Sequence, residues 1–472
     1  MTVQKMYIDG KLISSEKIES IINPATDNEI VKIYIADNNL ADMALISANK
    51  AKNTWGRLSV DDRIYWMDKL RNSFIENEEK LRLCVYQETG KTWNDTKEDF
   101  QLLIDSLDFY SKESKQYLAE ETSTDETHKH ILKKQGMGVC VAYLAWNFPL
   151  LNLGYKLGPA MATGCPIIIK PSIKTPLSAY LVGTICDSIN LPPGAVNIIA
   201  GNDIELGNYL SSSKIPSILT LIGSTQTGKN VIKSGSSSIK NYSMELGGDA
   251  PYIVFNDADL ELSADILTAI KFGNTGQICV SANRVFVEES VAEQFIGKVL
   301  ERVSRIKLGW GRDSGATMGS LIDKGARDRI HSLVCDAKTK GATCLVGGKF
   351  DEKESGAFYP ATVLTGITDD MLIYKTEIFG PVISICTFNC IDDVIKRAND
   401  TDSGLASYVF TTDLEKSNMF CEKLEFGEIH VNGIKYGINL PHTGIKQSGV
   451  GCDCSLYALD DYVVIKRISI AL

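Results

Sequence analysis

Residues 241–286 read NYSMELGGDAPYIVFNDADLELSADILTAIKFGNTGQICVSANRVF, and the rest of the chain is organised around them. Glu245 precedes Leu246, Gly247 and Gly248, while Cys279 closes the run Gly273-Asn274-Thr275-Gly276-Gln277-Ile278. A thiol becomes a useful nucleophile when its backbone can approach a small electrophile and nearby positive dipoles favour the thiolate; Gly273 and Gly276 give this loop that room. A cysteine taken at random is usually a small buried hydrophobe, and a lone glutamate is usually solvated. Here the approach to Cys279 is glycine-rich and without period, and Glu245 ends a run of buried-strand character. Desolvation at such a place raises a carboxyl pKa toward the working range of a general base. The two groups lie 34 residues apart, so they belong to different elements, and their meeting is an expectation about the fold.

MELGGDAP followed by GNTGQICVSANRV resembles the glutamate and cysteine signatures of the NAD(P)-dependent aldehyde dehydrogenase superfamily. Further matches come in that family's order: LAWNFP at 144–149, Lys170-Pro171-Ser172, Gly223-Ser224-Thr225, EIFGP at 377–381 and GIKQSG at 444–449. One such motif is weak; the set in register is specific. The glutamate points to the hydrolytic, non-acylating branch, and the chain looks semialdehyde-dehydrogenase-like.

The composition is that of a soluble globular protein. At 472 residues the chain is long enough for two or three domains with full cores. A hydrophobic share of 44% and a charged share of 23% are ordinary for that class. The net charge of −10 and pI near 5.2 argue against nucleic acid or an anionic membrane as partner. No run has signal-peptide or membrane-span character, so a cytoplasmic location is expected. The 12 cysteines are scattered and read as reduced thiols; Cys452 and Cys454, without clustered partners, do not suggest a metal site.

Along the chain, MYIDGKLI at 6–13 reads as two short strands around Asp9-Gly10, an N-terminal decoration. Apolar spacings of three and four between 38 and 112 predict amphipathic helices, with Trp55, Trp66 and Trp93 as packing residues. The polar segment 122–134, with His128 and His130 expected to be exposed, offers no core. From Gly138 the runs GVCVAYLAW, PIIIKP, AVNIIAG and SILTLIG alternate with helical stretches, the βαβ rhythm of a parallel sheet. YIVF, RVFVE, ATCLVGG and VISICTF repeat it in the second half. The expected fold class is α/β: a Rossmann-like parallel-sheet cofactor domain, a second α/β catalytic domain and a small β oligomerisation arm. The boundaries read 1–118 and 138–245 for the dinucleotide-binding domain, 246–450 for the catalytic domain, and 119–137 with 456–472 for the arm.

The resemblance assigns roles. Cys279 attacks an aldehyde to give a thiohemiacetal; Asn147 and the Cys279 amide hold its oxyanion. After hydride transfer, Glu245 activates the water that hydrolyses the thioester. Lys156, by default a helix surface lysine, is placed near the active site. Trp146, Lys170, Pro171, Ser172, Ile173, Gly223, Ser224, Leu246 and Glu377 are implied cofactor contacts. Gly223-Ser224-Thr225-Gln226-Thr227-Gly228 substitutes for the absent G-x-G-x-x-G fingerprint. Asn152, Tyr155, Gly273 and Tyr436 are expected to line the substrate entrance.

Three departures from the family pattern matter. The arginines that grip a distal carboxylate in succinate-semialdehyde enzymes are matched by Tyr155 and Gly273, which weakens, without removing, a short anionic semialdehyde as the alternative substrate. Ile173 stands where NAD-preferring members commonly carry a glutamate, and Lys174 follows it, so NADP is expected to be accepted at least as well as NAD. The usual Pro-Phe-Gly-Gly becomes Pro441-His442-Thr443-Gly444, and the sequence gives His442 no role. The expected partners are a small aldehyde and further copies of the chain, as a homodimer or homotetramer. A catalytically inactive structural or binding member of the fold is the rival reading.

Overall fold

The computed structural model describes residues 3–472. An eight-stranded sheet runs in the order Lys11–Ile13, Met6–Ile8, Val196–Ile198, Ile167–Lys170, Val139–Tyr143, Pro216–Ile222, Asn241–Glu245, Gly449–Val450. From Val196–Ile198 to Asn241–Glu245 every pairing is parallel. Buried on both faces, these strands carry near-continuous apolar runs such as Ile167-Ile168-Ile169, all fully buried. The 6–13 hairpin turns at Asp9 and Gly10, whose φ values are 53° and 75°. It is not a decoration: Tyr7 pairs with Ile198, and the hairpin forms one edge of this sheet. Its Met6, Tyr7 and Ile8 are buried because that edge packs into the main core.

The order reverses at Val139–Tyr143, which has Ile167–Lys170 on one side and Pro216–Ile222 on the other. In open parallel sheets a crevice forms beyond the carboxyl ends of the strands at such a reversal, where the following chains diverge. Leu144-Ala145-Trp146-Asn147 leaves one of those strands and Gly223-Ser224 the other.

A second sheet of seven strands holds Thr343–Val346, Thr362–Thr365, Val382–Phe388, Ala282–Glu288, Ala250–Val254, Ala406–Phe410 and Glu428–Val431, in that spatial order. All but the first are parallel. Separate apolar cores cover its two faces. Glu245 ends the last parallel strand of the first sheet, and Ala250–Val254 opens the second, so residues 246–249 are the direct crossing between them. Gly449–Val450 returns to pair with Met244 and Glu245.

Glu121–Thr124, His128–Gly136 and Val463–Ala471 form a three-stranded antiparallel sheet, with Val463 opposite Gly136 and Ala471 opposite His128. The final strand thus pairs within its own chain. His128 and His130 are half-buried rather than exposed, since the His130 ring is held between Asp125 (2.9 Å) and Ser469 (2.9 Å). No helix among the described residues is long and apolar enough to cross a membrane.

Candidate active site

A cavity of about 970 Å³ opens where the two sheets face each other, and both Glu245 and Cys279 line it. Two local features bring them together. Gly276 adopts φ 73° against the chain at Gly380, whose carbonyl oxygen a Cβ would meet at 2.4 Å. Gly248 passes so close to the Cys279 carbonyl that a Cβ there would lie 2.2 Å from it. A side chain at Gly248 would push the cysteine loop away from the glutamate strand, and one at Gly276 would push it off the turn at Gly380.

The cysteine loop is strained: Asn274 and Thr275 hold φ values of 46° and 57°, costly for residues with a Cβ. Side-chain amides offset that cost. Asn274 Nδ2 donates to the Asn147 carbonyl (3.0 Å) and the Gln277 carbonyl (3.2 Å), while Asn147 Nδ2 donates to the Gln277 carbonyl (3.0 Å). Asn147 is therefore tied to the cysteine loop through the Gln277 carbonyl, which it shares with Asn274.

The Asn147 turn is fixed from below by residues that carried no signal in the sequence. Lys91 Nζ donates to the Asn147 carbonyl (2.8 Å) and to Asp99 (3.1 Å), and both charged groups are buried. The other Asp99 oxygen accepts from the N–H groups of Leu150 (3.0 Å) and Leu151 (2.7 Å), capping the helix Pro149–Thr163. Removing one partner of such a buried pair costs roughly 3–5 kcal/mol, because the other charge is stranded.

Glu245 is 4% exposed, and neither carboxylate oxygen has a hydrogen-bond partner among the described residues. Burial drives its pKa well above the carboxylate range, with Asp453 and Glu428 adding to the rise and His442 and Lys156 opposing it. Lys156 is fully buried rather than on the helix surface, because its helix is covered on all sides. It does not line the cavity but ion-pairs with Asp453, which does, at 2.6 and 2.8 Å.

Of the implied cofactor contacts, Trp146, Gly223, Ser224, Leu246 and Glu377 line the cavity. Ser224 caps the helix Thr225–Gly235, accepting from the Thr227 N–H (3.2 Å). Glu377 accepts from the Gly248 N–H (3.2 Å), and burial pushes its pKa up to about 7. Lys170, Pro171, Ser172 and Ile173 do not line the cavity and gather instead around Asp203. The Asp203 carboxylate pairs with Lys170 and accepts from the Ile173 N–H (3.2 Å) and the Ser172 hydroxyl (3.4 Å). Burial lowers the Lys170 pKa, with Asp203 opposing the fall. Lys174 pairs with Asp323 at 2.5 Å, so its charge is neutralised locally.

Asn152, Tyr155, Gly273 and Tyr436 all line the cavity. The Tyr436 hydroxyl meets that of Tyr408 at 2.8 Å. Asp95, Glu98 and Glu428 share the lining with Arg329 and Lys435. His442 lies between two carboxylates: its Nδ1–H donates to Glu428 (2.5 Å), and its Nε2 is 4.0 Å from Glu245. Lys91, Asp99, Asp203, Glu428 and Asp453 were silent in the sequence because no local motif marks their pairings, which join residues from 8 (Lys91 and Asp99) to 297 (Lys156 and Asp453) positions apart.

Comparison with known proteins gives consistent results. The aldehyde dehydrogenase family matches over residues 12–468. Mitochondrial succinate-semialdehyde dehydrogenase of Oryza sativa subsp. japonica is 34% identical over 462 residues, covering 98% of this chain and 86% of that protein. The NADP(+) succinate-semialdehyde dehydrogenase GabD of Escherichia coli strain K12 is 33% identical over 473 residues, covering 99% of this chain and 98% of the relative. Among solved structures, an NADP-dependent enzyme of E. coli superposes with a TM-score of 0.96 at 32% identity, covering 100% of this chain and 98% of that one.

Proposed function

The chain belongs to the aldehyde dehydrogenase family, whose members oxidise aldehydes with NAD(P), and from that premise we propose that Cys279 and Glu245 divide the reaction between them. The observation that carries this reading is the pair itself: a thiol and an unpartnered buried carboxylate on the wall of one cavity. The Cys279 sulfur attacks the aldehyde carbon, and the oxyanion of the thiohemiacetal is held by the Asn147 amide and the Cys279 N–H. The Asn147 amide has a second N–H for this beside the one that it donates to the Gln277 carbonyl, while Lys91 keeps its backbone in place. A bound NAD(P) supplies the hydride acceptor. Glu245 then takes a proton from the water that hydrolyses the thioester, releasing the carboxylic acid; Lys156 acts through Asp453, holding the wall behind Glu245.

The residues present suit a dinucleotide. The crevice lies at the strand reversal, Gly223 and Ser224 stand at a helix N-terminus, and Glu377 offers a carboxylate suited to ribose hydroxyls. Lys170 and Ile173 flank the adenosine end on this reading. NADP is accepted at least as well as NAD because Ile173 offers no carboxylate to repel a 2′-phosphate. Asp203 acts against that preference by occupying the Lys170 ammonium. Asp203→Asn is therefore expected to raise the ratio of kcat/KM for NADP over NAD by about tenfold, ~1.4 kcal/mol in transition-state terms. An unchanged ratio, measured on one aldehyde, contradicts the placement of the ribose beside Lys170.

The leading substrate reading is an aldehyde without a distal carboxylate, since Tyr155 and Gly273 supply no cation and acids share the lining. A short anionic semialdehyde is the second reading, favoured by the names of the relatives and by Lys435 and His442 on the wall. Following NAD(P)H formation with neutral, anionic and cationic aldehydes of equal length separates them; no turnover with any would sink both.

The scatter of the 12 cysteines, none placed to pair with another, supports a cytoplasmic location. Exposed Val464, Ile465, Ile468 and Ile470 on the arm, and the outer strand Glu428–Val431 of the second sheet, support a homodimer or homotetramer. Sedimentation at micromolar concentration is expected to give a dimer or tetramer, and a monomer would contradict this.

A further inference from the structure

His442 occupies the place at which the resembled family carries phenylalanine, and the replacement is built into its surroundings. Its main chain is paired with Asp453 in both directions, His442 N–H to the Asp453 carbonyl and the reverse, each at 2.8 Å. The Asp453 side chain is in turn locked by buried Lys156. At the ring, Nδ1–H donates to Glu428 at 2.5 Å, which leaves Nε2 free on the cavity that Glu245, 4.0 Å away, and Cys279 also line. Glu428 is itself fixed, its other oxygen lying 3.5 Å from His430 Nε2, and His430 stacks on Tyr408 with ring centroids 5.2 Å apart. A space-filling imidazole would need none of these partners.

We propose that His442, oriented by Glu428, is the base that deprotonates Cys279, so that this site contains a Cys279–His442–Glu428 relay separate from the water-activating Glu245. The relay supports the division of labour proposed above and rests on Cys279 being the nucleophile. In the step, the Cys279 S–H bond breaks as an Nε2–H bond forms on His442. The thiolate then forms the C–S bond to the aldehyde carbon as the carbonyl π pair moves to oxygen. No electron leaves the protein in this step. Glu428 stays ionised and stabilises the imidazolium through Nδ1–H, as the carboxylate of a nucleophile–histidine–acid triad does. Thiol ionisation otherwise has to come from Glu245, which must then lose that proton before it can activate water; a second base removes the conflict.

The groups that face His442 are consistent with this role. Glu428, His430, Tyr436, Glu245, Asp453 and Cys454 line the cavity wall around it, and Cys279 lines the same cavity. Burial works against protonation of His442, but Cys279 and the carboxylates of Glu428 and Glu245 on the same cavity wall outweigh it and raise its pKa well above the usual value. Burial likewise raises Glu428, yet the nearby His430 ring and the hydrogen bond from His442 hold it below the ordinary carboxylate range.

The test is alkylation of Cys279 by iodoacetamide in the full-length protein without aldehyde, read by mass spectrometry on the peptide containing Cys279. Compared with the native protein, His442→Phe is expected to slow alkylation about tenfold near pH 6.5. The gap should close near pH 9.5, where a thiol ionises unaided. Glu428→Gln should give a smaller loss of the same pH-dependent form, and it carries the test if His442→Phe fails to fold. A merely structural role would lower reactivity by a constant factor or not at all. Profiles of the variants that run parallel to the native one overturn the relay. Turnover that survives loss of the Cys279 thiol is a different result, and it removes the nucleophile assignment instead.

Discussion

Cys279→Ala is expected to abolish aldehyde oxidation, with a loss of roughly four orders of magnitude or more in kcat, because the covalent intermediate has no other atom on which to form. Cofactor affinity should change little. Cys279 is only half-buried, and the contacts that hold its loop run through Asn274, Gln277 and Asn147 rather than through the thiol. Steady-state formation of NAD(P)H measures the first outcome, and cofactor titration by fluorescence quenching measures the second. Substantial turnover by the variant would remove Cys279 from the reaction.

Glu245→Gln is expected to leave acylation and its hydride burst intact while slowing thioester hydrolysis by about 10²- to 10⁴-fold, the usual contribution of a positioned base. Glutamine keeps the shape of the side chain but cannot take a proton from water. Stopped-flow absorbance should therefore show one equivalent of NAD(P)H per site followed by a slow steady state. The native enzyme adds a pH signature. Burial raises the Glu245 pKa, so the base form is lost as pH falls from a higher value than for an exposed glutamate. Deacylation should thus rise with pH above the ordinary carboxylate range, and this limb should vanish in the variant. Absence of a burst, or undiminished turnover, contradicts the assignment.

The parallel strands were legible in the sequence because they are buried on both faces, and runs such as Ile167-Ile168-Ile169 admit little else. The hairpin at 6–13 was legible from Asp9-Gly10, but its membership of the main sheet was not, since Tyr7 and Ile198 meet across nearly the whole domain. Glu245 and Cys279 stood out through their glycines, whose reason is visible only in three dimensions: Gly248 must clear the Cys279 carbonyl. Charged residues were misjudged most. Lys156 looks like a surface residue until its helix is seen to be buried all round, and Lys174 looks like free charge until Asp323 is found beside it. Asp203 illustrates the same limit. Nothing local marks it, yet it meets Lys170, Ser172 and Ile173 at once. His442 was conspicuous only as a departure from a pattern, and Glu428, which pairs with its ring, lies 14 residues away in sequence.

The central claim is that one thiol carries the acyl group and one carboxylate releases it. The most direct measurement is the mass of Glu245→Gln quenched in acid within a second or so of mixing with NAD(P) and an aldehyde that the native enzyme turns over, with peptides mapped afterwards. The predicted result is a protein heavier by one acyl group, located on the peptide containing Cys279 and absent without NAD(P). NAD(P)H formed in stoichiometric amount with no acyl group on Cys279, or with the group on another residue, would contradict it.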